Sequence, residues 1–521
     1  MLIRKIDGWL LRPWSWIVLF LVGALVRILQ FGAIPAGFNQ DEASTAYDAY
    51  ALLHAGIDRT GHHLPVMLVA WGSGMDAIAS YFAIPSIALL GPTIVAARIP
   101  HLLAGLLALI VFPLLVWRTV DRRAALLALF LLVINPWHIM ISRWGLDPNF
   151  FPLLFLCGVY CLVRGMRSSS WLAASAILFA LSLYAYGTAF LTVPVFLFLS
   201  SFVLLVRQHV RMRQFVLPLC LFAVVALPIA WYVLVNTYGF PSVETPFFSI
   251  PKLPGVPRFA TVSVMGGHAS SLFATLLHNL RDLWRLVWTQ DDGLPWNAIP
   301  GFGTLYLFST PFVLLGIAAC VERSVRLHDD LSIFFLAWLL SAIVLGAVLS
   351  VNINRINIIF FPLIFFLAMG LRSLMSTRAA AAGIVAGYTI AFVLFSLSYF
   401  RDYPAMIGPP FFASFMDAVD AAASRTAGPI CITDHVNMPY IFVLYRERVD
   451  PRVFLRTVRY EDPHAEFDRV LAFDRYTFGL SRCDPSHMSA YVLDKGEAAA
   501  FQKNTDMQEY SFPLYTAFVR T

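Results

Sequence analysis

The chain has 521 residues, of which 59% are hydrophobic and 13% are charged, and its mean hydropathy is +0.72. Soluble domains carry roughly 25% charged residues, so this composition excludes a large water-soluble protein and indicates that lipid surrounds most of the chain. The net charge is +6, with 37 Lys and Arg residues against 31 Asp and Glu residues. Most basic residues form short clusters between apolar runs, so the charge reports membrane topology and predicts no nucleic-acid partner.

The apolar runs predict about eleven membrane-spanning helices of roughly 20 residues each. The first run has charged flanks like a signal peptide, but it is long enough to span and has no evident cleavage site, so we expect it to be retained. The predicted spans are 14–34, 93–117, 124–142, 150–163, 171–187, 189–206, 215–235, 303–321, 331–351, 356–371 and 379–398.

A further run at 77–90 is shorter than the roughly 20 residues of a spanning helix, and it contains Pro85. Runs of this length are typical of interfacial segments, so we place it at the outer surface of the membrane. With that placement the arginine clusters fall on one side, which predicts a cytoplasmic N-terminus and an outer C-terminus. These clusters are Arg118/Arg122/Arg123, Arg164/Arg167, Arg207/Arg211/Arg213, Arg323/Arg326 and Arg372/Arg378, together with Arg4, Lys5 and Arg12.

The predicted organisation is a transmembrane domain at 1–400, with outer loops at 35–92 and 236–301, followed by an outer domain at 401–521. Charges return in this tail, and its pattern predicts a small α/β domain. The predicted helices are 411–423 and 438–446, and the predicted strands are 429–433, 470–473, 491–493 and 515–519. Cys431 and Cys483 are candidates for a disulfide in an oxidising compartment, and the sequence leaves their pairing open.

Two acidic residues follow the first span. Asn39 and Glu42 fit a capping box and Gly56 fits a helix end, so Asp41 and Glu42 are predicted in the first turn of an outer helix. In the simpler interpretation they complement the helix dipole. In the functional interpretation, a carboxylate at the boundary between water and lipid serves as a general base or a metal ligand.

The other candidates also lie on the predicted outer side. Asp147, before Pro148, either caps the next span or faces the same cavity as Asp41. Arg355 either reaches lipid headgroups or binds a lipid-linked phosphate, for which a guanidinium is well suited. The remaining candidates for phosphate or substrate binding are weaker: Arg143 and Arg98 are arginines near span ends, and His63 is a loop histidine that is more simply explained as solvated.

The chain resembles the extracytoplasmic glycosyltransferases of the GT-C fold, in particular the protein O-mannosyltransferase and lipid A aminoarabinose transferase branch. The resemblance covers about 14–400 and depends on the order of short motifs. These are the Asp41-Glu42 pair, Ala97-Arg98-Ile99-Pro100, Ser142-Arg143 through Asp147-Pro148, and Asn354-Arg355-Ile356-Asn357 before Phe361-Pro362. The lysine that aminoarabinose transferases carry in the first loop has no evident counterpart in Gly72-Ser73-Gly74-Met75-Asp76.

This resemblance implies an all-α polytopic membrane protein of the GT-C fold. It also implies transfer of a sugar from a polyprenyl-phosphate carrier to a lipid, glycan or protein acceptor at the bacterial inner membrane, in envelope glycan or lipopolysaccharide synthesis. Asp41 matches the essential first-loop aspartate, Glu42 its neighbour, and Asp147 the second-loop acidic residue. Some relatives use a divalent cation, so Mg²⁺ or Mn²⁺ held by Asp41 and Asp147 stays an open expectation.

Three other functions compete with this hypothesis. A lipid or glycan transporter or flippase explains many spans without chemistry, but such proteins tend to show inverted repeats and helices broken at the midplane. A ligase that transfers a whole glycan from a polyprenyl diphosphate would need a larger cavity and more basic residues outside. A non-catalytic scaffold has no need of two outer carboxylates.

Overall fold

The computed structural model describes residues 13–254, 272–326, 332–462, 468–501 and 506–521. The chain divides into two compact units. The first unit comprises Met1–Phe31, His101–Leu227 and Phe259–Asp402, and the second comprises Gly32–Pro100, Pro228–Arg258 and Tyr403–Thr521. The second unit is therefore assembled from three separate stretches of sequence.

The first unit is helical in its described residues. Its helices are α1 (Pro13–Ile28), the larger part of α4 (Ile94–Thr119), α5 (Arg122–Val133), α6 (Pro136–Ile141), α7 (Phe151–Gly165), α8 (Ser169–Ser182), α9 (Ala189–Val206), the first half of α10 (Val216–Tyr238), α11 (Leu272–Thr289), α12 (Thr310–Arg326), α13 (Ser332–Val348), α14 (Phe360–Leu374) and α15 (Arg378–Arg401). Short 3₁₀ turns at Asp147–Asn149 and Asn357–Ile359 precede α7 and α14.

Glycine and aromatic residues pack these helices together. Gly316 on α12 and Gly370 on α14 lie against each other's backbone, and a Cβ at either position would overlap a carbonyl oxygen of the opposite helix. Small residues at a helix contact allow this close approach, which is the usual way that membrane helices associate. Phe335 and Phe365 stack nearby with ring centroids 3.7 Å apart.

Seven helices in the described residues are long and apolar enough to cross a membrane. They are Ile94–Thr119, Asp147–Gly165, Ala189–Val206, Met212–Tyr238, Leu307–Arg326, Asn357–Leu374 and Arg378–Arg401, counted with their 3₁₀ turns. Each coincides with a predicted span. Three shorter apolar helices, Pro13–Ile28, Ser169–Ser182 and Ser332–Val348, also coincide with predicted spans, so a helical membrane protein is confirmed and the total of about eleven spans stays a prediction.

The predicted span at 124–142 is interrupted. The helix α5 ends at Val133, and α6 begins at Pro136 with Asn135 as its N-cap, since the Asn135 side chain accepts a hydrogen bond from the His138 N–H. Proline has no N–H to continue the hydrogen-bond ladder of α5, and it suits the first turn of a new helix. Apolar composition alone does not show this break.

The second unit contains the segment that was predicted to be the first outer loop. Its helices here are α2 (Gln40–Ala55) and α3 (Ile78–Leu90), which are joined by the hairpin β1 (Met67–Ala70) and β2 (Ser73–Asp76). The helix α3 covers the apolar run that was predicted to be too short to span. A short pair of strands, β3 (Val243–Glu244) and β4 (Ser249–Ile250), lies in the predicted second outer loop.

The tail folds as an α/β sheet structure, as the sequence predicted. Its strands are β5 (Ile430–Ile432), β6 (Arg459–Tyr460), β7 (Val470–Phe473), β8 (Tyr476–Phe478), β9 (Ala490–Asp494), β10 (Met507–Ser511) and β11 (Tyr515–Arg520), in the sheet order β10-β11-β9-β5-β8-β7-β6. Strand β5 is parallel to β8 and β9, and the other pairs are antiparallel. The helices are α16 (Tyr403–Ile407), α17 (Phe415–Ala423), α18 (Pro439–Arg446), α19 (Pro451–Thr457) and α20 (Lys495–Ala500).

A disulfide joins Cys431 and Cys483, the two cysteines whose pairing the sequence left open. The bridge links β5 to the turn that follows β8, across 52 residues of sequence. Replacing both cysteines by serine is expected to destabilise the protein by about 2–4 kcal/mol, because the unfolded chain regains the freedom that the cross-link removes. The melting temperature of the detergent-solubilised protein measures this effect. An unchanged melting temperature in the double variant, and after reduction of the wild type, would contradict it.

Candidate active site

Asp41 is placed by the start of α2. The Asn39 side chain accepts a hydrogen bond from the Asp41 N–H at 2.9 Å, and the Glu42 carboxylate accepts one from the Asn39 N–H at 3.2 Å. This is the predicted capping box, and Gly56 ends the helix in the left-handed conformation as predicted. The cap fixes the backbone of the first turn and leaves the Asp41 carboxylate half-buried at the helix N-terminus, where the helix dipole favours a negative charge.

Glu42 and Arg98 form a buried ion pair. The guanidinium donates from Nε to Oε1 and from Nη2 to Oε2 of Glu42, both at 2.8 Å, and neither side chain is exposed. Arg98 also donates to the carbonyl oxygens of Gly32, Pro35 and Gly37. Since the donors of Arg98 are engaged with the segment that leads into α2, its position favours a structural role in holding the first turn.

The indole of Trp71 reaches the Asp41 carboxylate from the hairpin. Its Nε1 donates to Oδ1 of Asp41 at 3.3 Å, and the Trp71 side chain is buried. Trp71 and Gly72 form the two-residue turn between β1 and β2. A neutral N–H donor to a carboxylate favours the ionised form of the acid.

A second buried group of charges lies in the same unit. Arg59 pairs with Asp48 at 3.0 Å, and both side chains are fully buried. Arg59 also donates to the Ser44 hydroxyl. Burial raises the pKa of the Asp48 carboxyl, although the positive charge of Arg59 opposes that shift. Burial also raises the pKa of Asp468 to about 6, again against the charge of Arg59.

Asp147 lies in the first unit. It is the first residue of the 3₁₀ turn Asp147–Asn149, and its side chain is 9% exposed. Pro148 follows Asp147, and its carbonyl oxygen accepts a hydrogen bond from the Asn357 side chain at 2.5 Å. This bond connects the Asp147-Pro148 motif with the motif that ends at Asn357. The stretches around Asp147 and Asn357 are therefore neighbours in space. That Asp147 shares a cavity with Asp41 stays a prediction.

Arg143 closes the end of α1. Its guanidinium is fully buried and donates to the carbonyl oxygens of Val26, Arg27, Leu29 and Gln30, at distances from 2.7 to 3.3 Å. The last carbonyls of a helix lack partners within the helix, and a basic side chain is a good donor for them. This position favours a structural role for Arg143.

Arg355 is half-buried in the turn before α14. Its backbone N–H donates to the Asn352 side chain at 2.8 Å, and its Nη1 donates to the Ser350 carbonyl at 3.1 Å and to the Ser350 hydroxyl. Unlike Arg98 and Arg143, which are fully buried, Arg355 retains contact with solvent. Of the three arginines, its position suits contact with an anion best.

His63 is half-buried, and its ring lies beside Gly56 at the end of α2. The only group of three potential metal ligands found in the described ranges lies elsewhere, in the tail: Asp434, His435 and Glu497. Asp434 and His435 are exposed, and each already has an ionic partner, Arg482 and Asp494 respectively.

Comparison with known proteins gives matches in structure alone. No family model matches the chain, and no curated protein matches its sequence. The structure of ArnT from Cupriavidus metallidurans bound to undecaprenyl phosphate matches with a TM-score of 0.57 at 12% identity, over 97% of this chain and 98% of that one. Its apo state matches with a TM-score of 0.56 at 13% identity, over 97% of both chains.

A second match is the archaeal oligosaccharyltransferase AglB from Archaeoglobus fulgidus, in complex with an inhibitory peptide and a dolichol-phosphate. The TM-score is 0.51 at 14% identity, over 84% of this chain. The chain spans 64% of the length of AglB. The chain has the GT-C fold. The fold that the sequence motifs implied is therefore confirmed.

Within this GT-C fold, sequence inspection missed Trp71 and Arg59. Trp71 lies 30 residues from the carboxylate that it contacts, and Arg59 lies 11 residues from Asp48. The available signal was Gly72 shortly after the apolar stretch Met67–Ala70, since a glycine there is typical of a tight hairpin. The sequence gives no signal for the direction of the indole.

Proposed function

We propose that this protein is a glycosyltransferase that moves a sugar from a polyprenyl-phosphate carrier to a lipid, glycan or protein acceptor on the outer side of the inner membrane. The observation that carries the proposal is the Asp41 carboxylate, which is held half-buried at the capped start of α2 in a chain of the GT-C fold. The matched ArnT and AglB structures contain undecaprenyl phosphate and dolichol-phosphate, which supports a lipid-phosphate donor.

Asp41 is the general base of the proposed reaction. The acceptor hydroxyl oxygen attacks the anomeric carbon, and the bond from that carbon to the phosphate oxygen breaks on the opposite face, so the configuration inverts. The leaving phosphate takes the bonding electrons, and the hydroxyl proton passes to the Asp41 carboxylate. The transition state resembles an oxocarbenium ion, which a nearby carboxylate stabilises.

Charge develops on the leaving phosphate, and Arg355 is the proposed group that balances it. A guanidinium binds phosphate oxygens in a bidentate manner, and Arg355 is the candidate arginine that keeps contact with solvent. Asp147 is proposed to position the acceptor. Glu42 and Arg98 are proposed to fix the helix turn that carries Asp41, and Arg143 to fix the end of α1. His63 stays a candidate for substrate contact.

The outer location of the tail is part of the proposal. The disulfide between Cys431 and Cys483 supports it, because disulfides persist in oxidising compartments such as the bacterial periplasm. The arginine clusters between the spans support a cytoplasmic position for the opposite ends of the helices.

A divalent cation, Mg²⁺ or Mn²⁺, stays part of the proposal, with Asp41 and Asp147 as its candidate ligands. One of the matched oligosaccharyltransferase structures is a complex with Zn and sulfate. Such an ion would supply positive charge near the leaving phosphate. The proposed proton transfer and phosphate contact use side chains of this chain alone.

Proteoliposomes that contain the purified protein test the function. A set of radiolabelled undecaprenyl-phosphate monosaccharides serves as donors, and lipid and glycan extracts of the cell envelope serve as acceptors. We expect label to pass from one donor to an acceptor, with release of undecaprenyl phosphate in equal amount. Label that crosses the bilayer but stays on its carrier would identify a flippase instead and would overturn the proposal.

A further inference from the structure

Trp71 adopts a backbone conformation that tryptophan rarely takes. The hairpin pairs Ala70 with Ser73, so Trp71 and Gly72 alone form its turn. Their φ angles are +58° and +78°. A two-residue turn with two positive φ angles favours Asn-Gly or Asp-Gly, and a bulky residue in the first position is strained. Strain of this kind persists where the surrounding structure requires that side chain at that place, and it is concentrated at functional sites.

The surrounding contacts hold the indole in one orientation. The Arg59 guanidinium lies over the ring of Trp71, with its carbon 5.1 Å from the ring centroid. Tyr440 on α18 meets the same indole at an interplanar angle of 81°, with the centroids 6.1 Å apart. While the ring contacts both Arg59 and Tyr440, its Nε1–H donates to the Asp41 carboxylate at 3.3 Å.

We propose that Trp71 is a positioning residue for Asp41, and that its indole N–H orients and stabilises the carboxylate that accepts the proton from the acceptor hydroxyl. This inference rests on the proposed function. Trp71 contacts the general base and is not itself assigned to the substrate.

Arg59 gives this arrangement its rigidity. Its guanidinium is 2% exposed, is paired with Asp48 at 3.0 Å and donates to Ser44 on α2. Its Nε and Nη1 atoms are buried without a hydrogen-bond partner in the part of the chain that the structure describes. The guanidinium of this buried arginine also lies over the face of the indole, and such cation–π contacts are strongest when desolvated.

The variant Trp71→Phe tests the proposal because it keeps an aromatic ring for Arg59 and Tyr440 and removes the N–H. Because the Asp41 carboxylate loses its fixed orientation, kcat is expected to fall by about 10-fold, with little change in KM for the sugar donor. Loss of the indole N–H is also expected to move the acid limb of the kcat–pH profile to higher pH by roughly half a unit to one unit, because the ionised Asp41 carboxylate loses a hydrogen bond. The wild type and the variant share the other titratable groups around this cluster, which include Glu42, Asp48, Asp58, Arg59, Asp76, Tyr232, Tyr440 and Asp468.

Trp338→Phe is the matched control. Trp338 is also buried, and its Nε1 donates to the Ile358 carbonyl at 2.9 Å. This variant is expected to lower the melting temperature without moving the acid limb. A wild-type kcat and pH profile in Trp71→Phe, or a loss of activity that follows its loss of stability with the acid limb unmoved, would overturn the proposal. If Asp41→Asn keeps full activity, the proposed general base fails first, and the two failures are thereby distinguished.

Discussion

Replacing Asp41 by asparagine is expected to lower the rate of sugar transfer by on the order of 10²-fold or more. Asparagine has nearly the same shape and keeps an oxygen for the Trp71 N–H, but its amide does not take the proton from the acceptor hydroxyl. The melting temperature is expected to stay close to that of the wild type, because Asp41 is half-buried at the helix start. Radiolabel transfer in proteoliposomes, at saturating donor, measures the change in kcat.

Asp417→Asn is the matched control for this variant. Asp417 also lies in the first turn of a helix, α17, and its side chain is exposed. The control is expected to transfer sugar at the rate of the wild type. Full activity in Asp41→Asn would remove Asp41 from the mechanism, whatever the fate of the other candidate residues.

Replacing Arg98 by methionine is expected to destabilise the protein by about 3–5 kcal/mol, because the buried Glu42 carboxylate then lacks a counter-charge. The carbonyls of Gly32, Pro35 and Gly37 lose their donor in the same variant. The melting temperature in detergent, together with the yield of folded protein, measures the effect. A phosphate-binding role would give another result, with normal folding and a raised KM for the donor.

Two further variants make this result specific to the buried pair. Arg326→Met breaks an exposed pair with Glu322 on α12, and we expect a cost of at most about 1 kcal/mol. The double variant Glu42→Gln with Arg98→Met removes both charges, so its loss is expected to be smaller than the sum of the single losses. Additive losses would show that the two residues stabilise the fold independently.

Local signals predicted much of the structure well. The capping box at Asn39 and the glycine at position 56 define α2, because both are interactions within one or two turns of the chain. The strand at Val470–Phe473 coincides with its prediction, and the strands at β5, β9 and β11 lie within two residues of theirs. Alternating apolar residues in a sheet are a local pattern, which a single sequence shows directly.

Contacts between distant residues were beyond this kind of inference. Sequence inspection named Arg98 and Arg143 as possible phosphate ligands because each lies near the end of a span. The structure shows both fully buried, with carbonyl oxygens or Glu42 as partners. Burial and the direction of a side chain depend on packing across the fold, so charge pattern alone does not separate an arginine that binds substrate from one that caps a helix.

The second unit is assembled from segments far apart in the sequence, which delays its folding during biosynthesis. The helix α2 packs on α18, and within this unit the Tyr47 hydroxyl donates to the Val449 carbonyl, 402 residues later in the chain. The Phe38 N–H likewise donates to the Phe411 carbonyl. Such contacts have a very high contact order, and chains fold from their N-terminus as they are made. The surroundings of Asp41 are therefore completed only after the ribosome has synthesised nearly the whole polypeptide, so a prematurely terminated product would lack part of the structure around Asp41.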